Sequence, residues 1–218
     1  MGLRKISKTI LLVFLIALLS SICFPIEKGV KGGICISPYR FSEWESGKDA
    51  GYHDKEGSSI CFFVGIPLSK ILFFQPEIIV SQKGAQVKKK CFSTVPPVTE
   101  MHNWEYYYVE LPLLLKFYPW PENPMKVMFY GGGSASILLG STYRYIGPRY
   151  GIELDDKLKR FDYGLVVGSG FAFRMSDGVD LVLDLRYYAG FANVAHESNQ
   201  TYPNIRSSTI YLLLGVQF

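Results

Sequence analysis

The sequence predicts an all-β fold: an eight-stranded antiparallel up-and-down transmembrane β-barrel after a cleaved signal peptide. Three observations predict it. The closing stretch from Ser207 to Phe218 alternates with a period of two, so that Ile210, Leu212, Leu214, Val216 and Phe218 form one wholly apolar face. Seven earlier segments carry strand patterning, and the connections between them are alternately long and short, as in barrels with short periplasmic turns and long outer loops. Finally, 15 Tyr, 15 Phe and 21 Gly in 218 residues, with only 19% charged residues, suit a β-rich chain with an apolar surface.

Residues 1–23 read as the signal peptide. Arg4, Lys5 and Lys8 precede the apolar run from Ile10 to Leu19, which is too short to span a bilayer as a helix and ends in small polar residues. Cleavage is expected near Cys23, where the bulky Ile22 argues against a lipoprotein signal. Residues 24–218 then form the barrel. Without the three leader cations, 20 basic side chains face 19 acidic ones, so no global charge favours nucleic acid. Export leaves Cys35, Cys61 and Cys91, an odd number unlike a disulfide framework. Cys35 and Cys61 fall inward on neighbouring strands and bridge only if their register allows it.

The predicted strands are Gly29–Ser37, Ser58–Pro67, Lys70–Lys83, Glu105–Tyr118, Lys126–Tyr145, Phe161–Met175, Val179–Ala195 and Ser207–Phe218. The long connections are Pro38–Gly57, Gly84–Trp104, Ile146–Arg160 and His196–Arg206. In the fourth strand Tyr107, Val109, Leu111, Leu113, Leu115 and Phe117 face lipid, opposite Tyr106, Tyr108, Glu110, Leu114, Lys116 and Tyr118. A soluble lipocalin-like barrel would need the reverse, apolar inside and polar outside. Aromatics near the strand ends suggest interface girdles, with Trp104, Tyr106, Tyr143, Tyr145, Phe161 and Tyr163 at the outer level. Phe117, Tyr118, Trp120, Phe173 and Phe218 would mark the inner one.

The same alternation turns Glu77, Glu110, Lys116, Arg174, Asp184 and Arg186 inward. Counted from the short turns, Glu77, Glu110, Asp184 and Arg186 lie on the order of 12–19 Å up their strands, near mid-membrane. They are expected to share one layer, with Glu110 and Arg186 as the leading ion pair. In so narrow a barrel such a layer is a structural plug, and an ion or proton path is the alternative. A filled lumen leaves no room for a glycosidase's sugar, and no Gly-x-Ser-x-Gly elbow supports nucleophilic hydrolysis. His53, His102 and His196 fall on three outer loops and are expected to be solvated rather than metal-bound; no cofactor is implied. Gly131-Gly132-Gly133 and Gly168-Ser169-Gly170 serve strand bending and room for bulky neighbours rather than phosphate binding, and Lys88-Lys89-Lys90 is a solvated run.

Particular words add a resemblance. Val30-Lys31-Gly32-Gly33, Gln75-Pro76-Glu77, Ser81-Gln82-Lys83-Gly84-Ala85, Val109 through Lys116, Asp162-Tyr163-Gly164 and Leu185-Arg186-Tyr187-Tyr188 resemble the PorT-like outer-membrane β-barrel family across roughly the whole mature chain. Ile205-Arg206-Ser207-Ser208 departs from it, where an Asn-Arg entry to the last strand is expected. The resemblance implies an eight-stranded barrel in the outer membrane of Bacteroidetes-type bacteria, mostly without an assigned activity; one branch acts in secretion and gliding. The function expected is therefore non-enzymatic: a monomeric outer-membrane barrel with a structural or surface-interaction role through its outer loops. A narrow channel, transporter or secretion component and a soluble ligand-binding barrel are the alternatives. Lipid, the barrel-assembly machinery and envelope proteins are the expected partners, with Phe218 as the assembly signal.

Overall fold

The computed structural model describes residues 26–37, 40–41, 51–54, 56–91, 98–146, 151–153, 159–193 and 205–218. The predicted signal peptide, Cys23 and His196 lie outside these residues, as do the side chains of His53, His102, Lys88, Lys89, Lys90, Cys91 and Tyr145.

Twelve strands form, β1 (Glu27–Ile36), β2 (Arg40–Phe41), β3 (Gly51–Asp54), β4 (Glu56–Pro67), β5 (Leu72–Cys91), β6 (Val98–Phe117), β7 (Met125–Ile146), β8 (Gly151–Glu153), β9 (Phe161–Ser176), β10 (Val179–Gly190), β11 (Ile205–Arg206) and β12 (Ser208–Gln217). Eight of them close a ring in the order β1-β4-β5-β6-β7-β9-β10-β12, every pairing antiparallel. The seam is β12 against β1, in register from Gly29 opposite Gln217 to Ile36 opposite Ile210. Lys28 and Phe218 extend it by exchanging backbone hydrogen bonds of 2.9 and 2.8 Å. Closure leaves no unpaired edge, which is what a sheet in lipid requires.

Alternation decides which face meets lipid. In β12 Leu212 and Leu214 are exposed, whereas Tyr211 and Leu213 are completely buried. Ile60, Phe62, Ile78, Leu113, Leu115, Phe129, Leu165, Val167 and Leu185 continue the exposed apolar belt around the ring. A lipocalin-like soluble barrel is excluded by this belt and by the charged interior described below.

Two corrections concern the outer end. The predicted loop Gly84–Trp104 is mostly strand, because β5 runs to Cys91 and β6 starts at Val98, paired residue for residue from Ala85–Trp104 to Cys91–Val98. Together with β7 they outreach the adjoining β9: Ile137 of β7 already pairs with Phe161, the first residue of β9, and nine residues of β7 follow it. β3 and β8 flank this extension, so His53 and His102 stand in strands rather than loops. Elsewhere, Tyr106 and Tyr118 point into the lumen and belong to neither girdle, since they share the parity of buried Glu110. By the same alternation Trp104, paired with Tyr143 and packed on it at 5.2 Å, turns inward as well, so exposed Phe161 and Tyr163 hold the outer interface level and exposed Phe117, Trp120, Phe173 and Phe218 hold the inner one.

Candidate functional site: the layered charged lumen

The centre of the lumen holds four charges from three strands. Lys31 of β1 reaches Glu77 of β5 at 3.1 Å and Asp184 of β10 at 2.6 Å. Arg186, two residues after Asp184 on the same face, bonds Glu77 through Nη1 and through Nη2 at 3.3 Å. It holds Asp184 through Nε at 3.2 Å and Nη2 at 2.5 Å. Gln75 donates to Glu77 at 2.6 Å, and the Tyr130 hydroxyl donates to Asp184. All four charged side chains are at most 3% exposed. Two cations on two anions leave the cluster neutral, the condition under which buried charges are tolerated. Gly168 makes room for it, because a Cβ there would collide with the Tyr130 ring and hydroxyl.

A second cluster lies nearer the outer end. Lys83 pairs with Glu110 at 2.9 Å, and Ser81 and Tyr211 donate to the same carboxylate at 2.5 and 2.6 Å. Three tyrosine rings surround the ammonium, Tyr188 at 4.9 Å, Tyr108 at 5.1 Å and Tyr211 at 5.6 Å from their centroids. Buried Cys35, Cys61, Ile79, Leu114, Val166 and Leu213 form one packed cluster with Tyr130 of the first charge cluster and Tyr188 and Tyr211 of the second. Charged and apolar side chains are therefore interleaved in the lumen, with Leu213 directly opposite Asp184 and Ile79 directly opposite Glu110.

Toward the periplasm, Lys116 pairs with Glu27 at 2.5 Å beside Tyr118, Phe73 and Phe63, and Lys126 pairs with Asp180 at 2.9 Å. At the outer end Asp162 accepts from the Ser207 hydroxyl, the Tyr188 hydroxyl at 2.9 Å and the Tyr163 backbone N–H at 2.8 Å.

Glu77, Glu110, Lys116, Asp184 and Arg186 thus all face the lumen, yet they do not share one layer. The expected pair of Glu110 with Arg186 does not form: Arg186 takes Glu77 and Asp184, and Glu110 takes Lys83. Strand tilt raises successive strands past one another, so equal counts from the turns are not equal heights. Arg174 is not interior; its side chain is 57% exposed at the periplasmic mouth, 3.7 Å from Asp180. Lys31 and Lys83, two of the three cations in the central clusters, are missing from the predicted constellation although their parity matches that of Cys35 and Glu77. Cys35 and Cys61 are free, because Cys35 faces Gly57 and Cys61 faces Lys31 across the β1–β4 pair. Among the described residues no group of three or more His, Cys, Asp or Glu is placed to hold a metal.

An apolar belt outside and paired charges inside define an integral β-barrel of a membrane. The family description "Outer membrane protein beta-barrel domain" matches residues 25–196, and the chain belongs to that family. It is a protein of the bacterial outer membrane. No curated protein matches the sequence. Among solved structures it is similar to the outer membrane protein OprG of Pseudomonas aeruginosa, at 10% identity and TM-score 0.48, covering 88% of this chain and 95% of that one. A major outer membrane protein of Thermus thermophilus is similar at 14% identity and TM-score 0.48, with 88% and 98% covered. The attachment invasion locus protein Ail of Yersinia pestis is similar at 13% identity and TM-score 0.41, with 88% and 99% covered.

Proposed function

We propose that this is a non-enzymatic, monomeric outer-membrane barrel with a sealed lumen, which works as a rigid membrane support for its outer strands and loops. The observation that carries the reading is the four-charge cluster of Lys31, Glu77, Asp184 and Arg186, which joins three strands across the middle of the lumen. An ion crossing there would have to displace an arginine held by two carboxylates and part the packed apolar side chains of Ile79, Leu114, Val166 and Leu213. The outward reach of β5, β6 and β7 supports the surface role, since it stiffens the base of two long connections. The PorT-like words support placement in that Bacteroidetes-type branch, with residues 1–23 removed on export and Phe218 read by the barrel-assembly machinery. Envelope proteins are the proposed partners of the outer loops.

Single-protein conductance in planar bilayers tests the seal. The folded monomer is expected to show no stable openings above the lipid background; large, long-lived openings would overturn the reading in favour of a channel. N-terminal sequencing of the protein from isolated outer membranes checks the leader, with a start near residue 24 expected.

A further inference from the structure

Every other described interior carboxylate has a cation within 4 Å: Glu27 has Lys116, Glu77 and Asp184 have Lys31 and Arg186, Glu110 has Lys83, and Asp180 has Lys126. Asp162, 2% exposed at the outer end of the lumen, has none among the described residues. Its described partners are the Tyr163 backbone N–H on Oδ1 and hydroxyls on Oδ2. Ser207 and Tyr188 donate to its Oδ2, and each hydroxyl keeps a lone pair free to accept. Across the β7–β9 pair Ser136 stands directly opposite Asp162 and Ser134 opposite Gly164. Both serine hydroxyls are buried and without a hydrogen-bond partner, Ser136 at 1% exposure. Directly opposed residues place their Cβ atoms about 4.5–5.5 Å apart, so the Ser136 hydroxyl adjoins the carboxylate. It also lies near the Tyr188 hydroxyl without completing a hydrogen bond to it. The neighbouring position is a glycine, Gly190, where a Cβ would stand 2.9 Å from Asp162 Oδ2 and 2.5 Å from Ser207 Oγ. Any side chain there would crowd the oxygens.

We propose that Asp162, Ser136, Ser207 and Tyr188 form a binding site for a monovalent alkali cation. The donor set is all hard oxygen, which suits alkali and alkaline-earth ions and not thiolate- or imidazole-seeking metals. A single carboxylate balances one positive charge, whereas calcium sites collect several. The bound ion would supply Asp162 with a counter-charge that none of the described residues supplies, and the buried hydroxyl of Ser136 with a partner.

The test is the heat-modifiable gel shift of the detergent-folded full chain, read as the midpoint temperature of unfolding in sodium or potassium chloride against choline chloride at equal ionic strength. An alkali ion at about a hundred times its dissociation constant should raise the midpoint by several degrees over choline, and Asp162→Asn should abolish the difference. Ser136→Ala keeps the experiment decisive if Asp162→Asn folds poorly. In choline it should match or exceed the parent, because it removes an unsatisfied hydroxyl, and yet its response to sodium or potassium should shrink. Equal midpoints in sodium, potassium and choline for the parent would overturn the site, as would an undiminished response in Ser136→Ala.

Discussion

The two central charge clusters of the lumen solve the same problem by different means. Around Lys31, Glu77, Asp184 and Arg186, charge meets charge: each ion touches two of opposite sign, and the contacts tie β1 and β5 to β10 across the seam between β1 and β12. Around Lys83 a single carboxylate suffices, because three tyrosine rings solvate the ammonium and two hydroxyls solvate Glu110. In the first cluster Gln75 and Tyr130 each give one hydrogen bond to a carboxylate, but each cation serves both carboxylates, so losing one ion unbalances the whole group. In the second, three rings and two hydroxyls attend a single ion pair, so the same kind of substitution should hurt it less.

The largest effect is expected from Arg186→Met. It leaves Glu77 and Asp184 sharing only Lys31, two buried carboxylates on one ammonium, and stranding a buried charge in this way costs about 3–5 kcal/mol. Urea titration of the barrel in detergent, followed by gel shift, should show a much lower midpoint. A parental midpoint would mean that water reaches the cluster and that the lumen is not sealed there.

Glu110→Gln should cost less, about 1–3 kcal/mol, because Lys83 retains its ring contacts while the amide carbonyl still accepts from Ser81 or Tyr211. The comparison sharpens with the double variant Lys83→Met/Glu110→Gln, which removes both charges and should return to within about 1 kcal/mol of the parent. Strong non-additivity in this cycle is the expected signature of a pair that is costly to break and cheap to delete together. If the double variant is as unstable as the sum of the singles, the two side chains act independently and the tyrosines, not the pair, organise this level.

Parity was legible in the sequence; height was not. A period of two is a local property of each strand, so the inward turn of Glu77, Glu110, Lys116, Asp184 and Arg186 and the lipid-facing turn of Leu111, Leu113 and Leu115 follow without knowledge of neighbours. The same rule also places Tyr106 and Tyr118 inside, against their reading as girdle residues. Partner choice depends instead on tilt and register. Lys31 finds Glu77 and Asp184 at sequence separations of 46 and 153, and nothing local in the Val30-Lys31-Gly32-Gly33 word points to either. The outward extension of β5 and β6 stayed hidden for a different reason. Lys88-Lys89-Lys90 reads as solvated whether it lies in a loop or in a strand standing beyond the membrane, where neither face must be apolar.

The smallest change in stability is expected at the seam's end, and there the contrast is between stability and assembly. Phe218 joins the barrel through its backbone, by the two hydrogen bonds it exchanges with Lys28, while its ring is 51% exposed at the inner interface. Phe218→Ala keeps those hydrogen bonds and removes a ring that packs on little protein, so the urea midpoint of the refolded barrel should fall by no more than about 1 kcal/mol equivalent. Assembly in the cell has a different requirement, because the last strand must be recognised before it is paired, when the alternating face of Ile210 to Phe218 is all that the machinery meets. Membrane levels of the variant should therefore drop several-fold although the purified protein refolds normally. Parental levels in the membrane would remove the recognition role and leave Phe218 as an interface anchor alone.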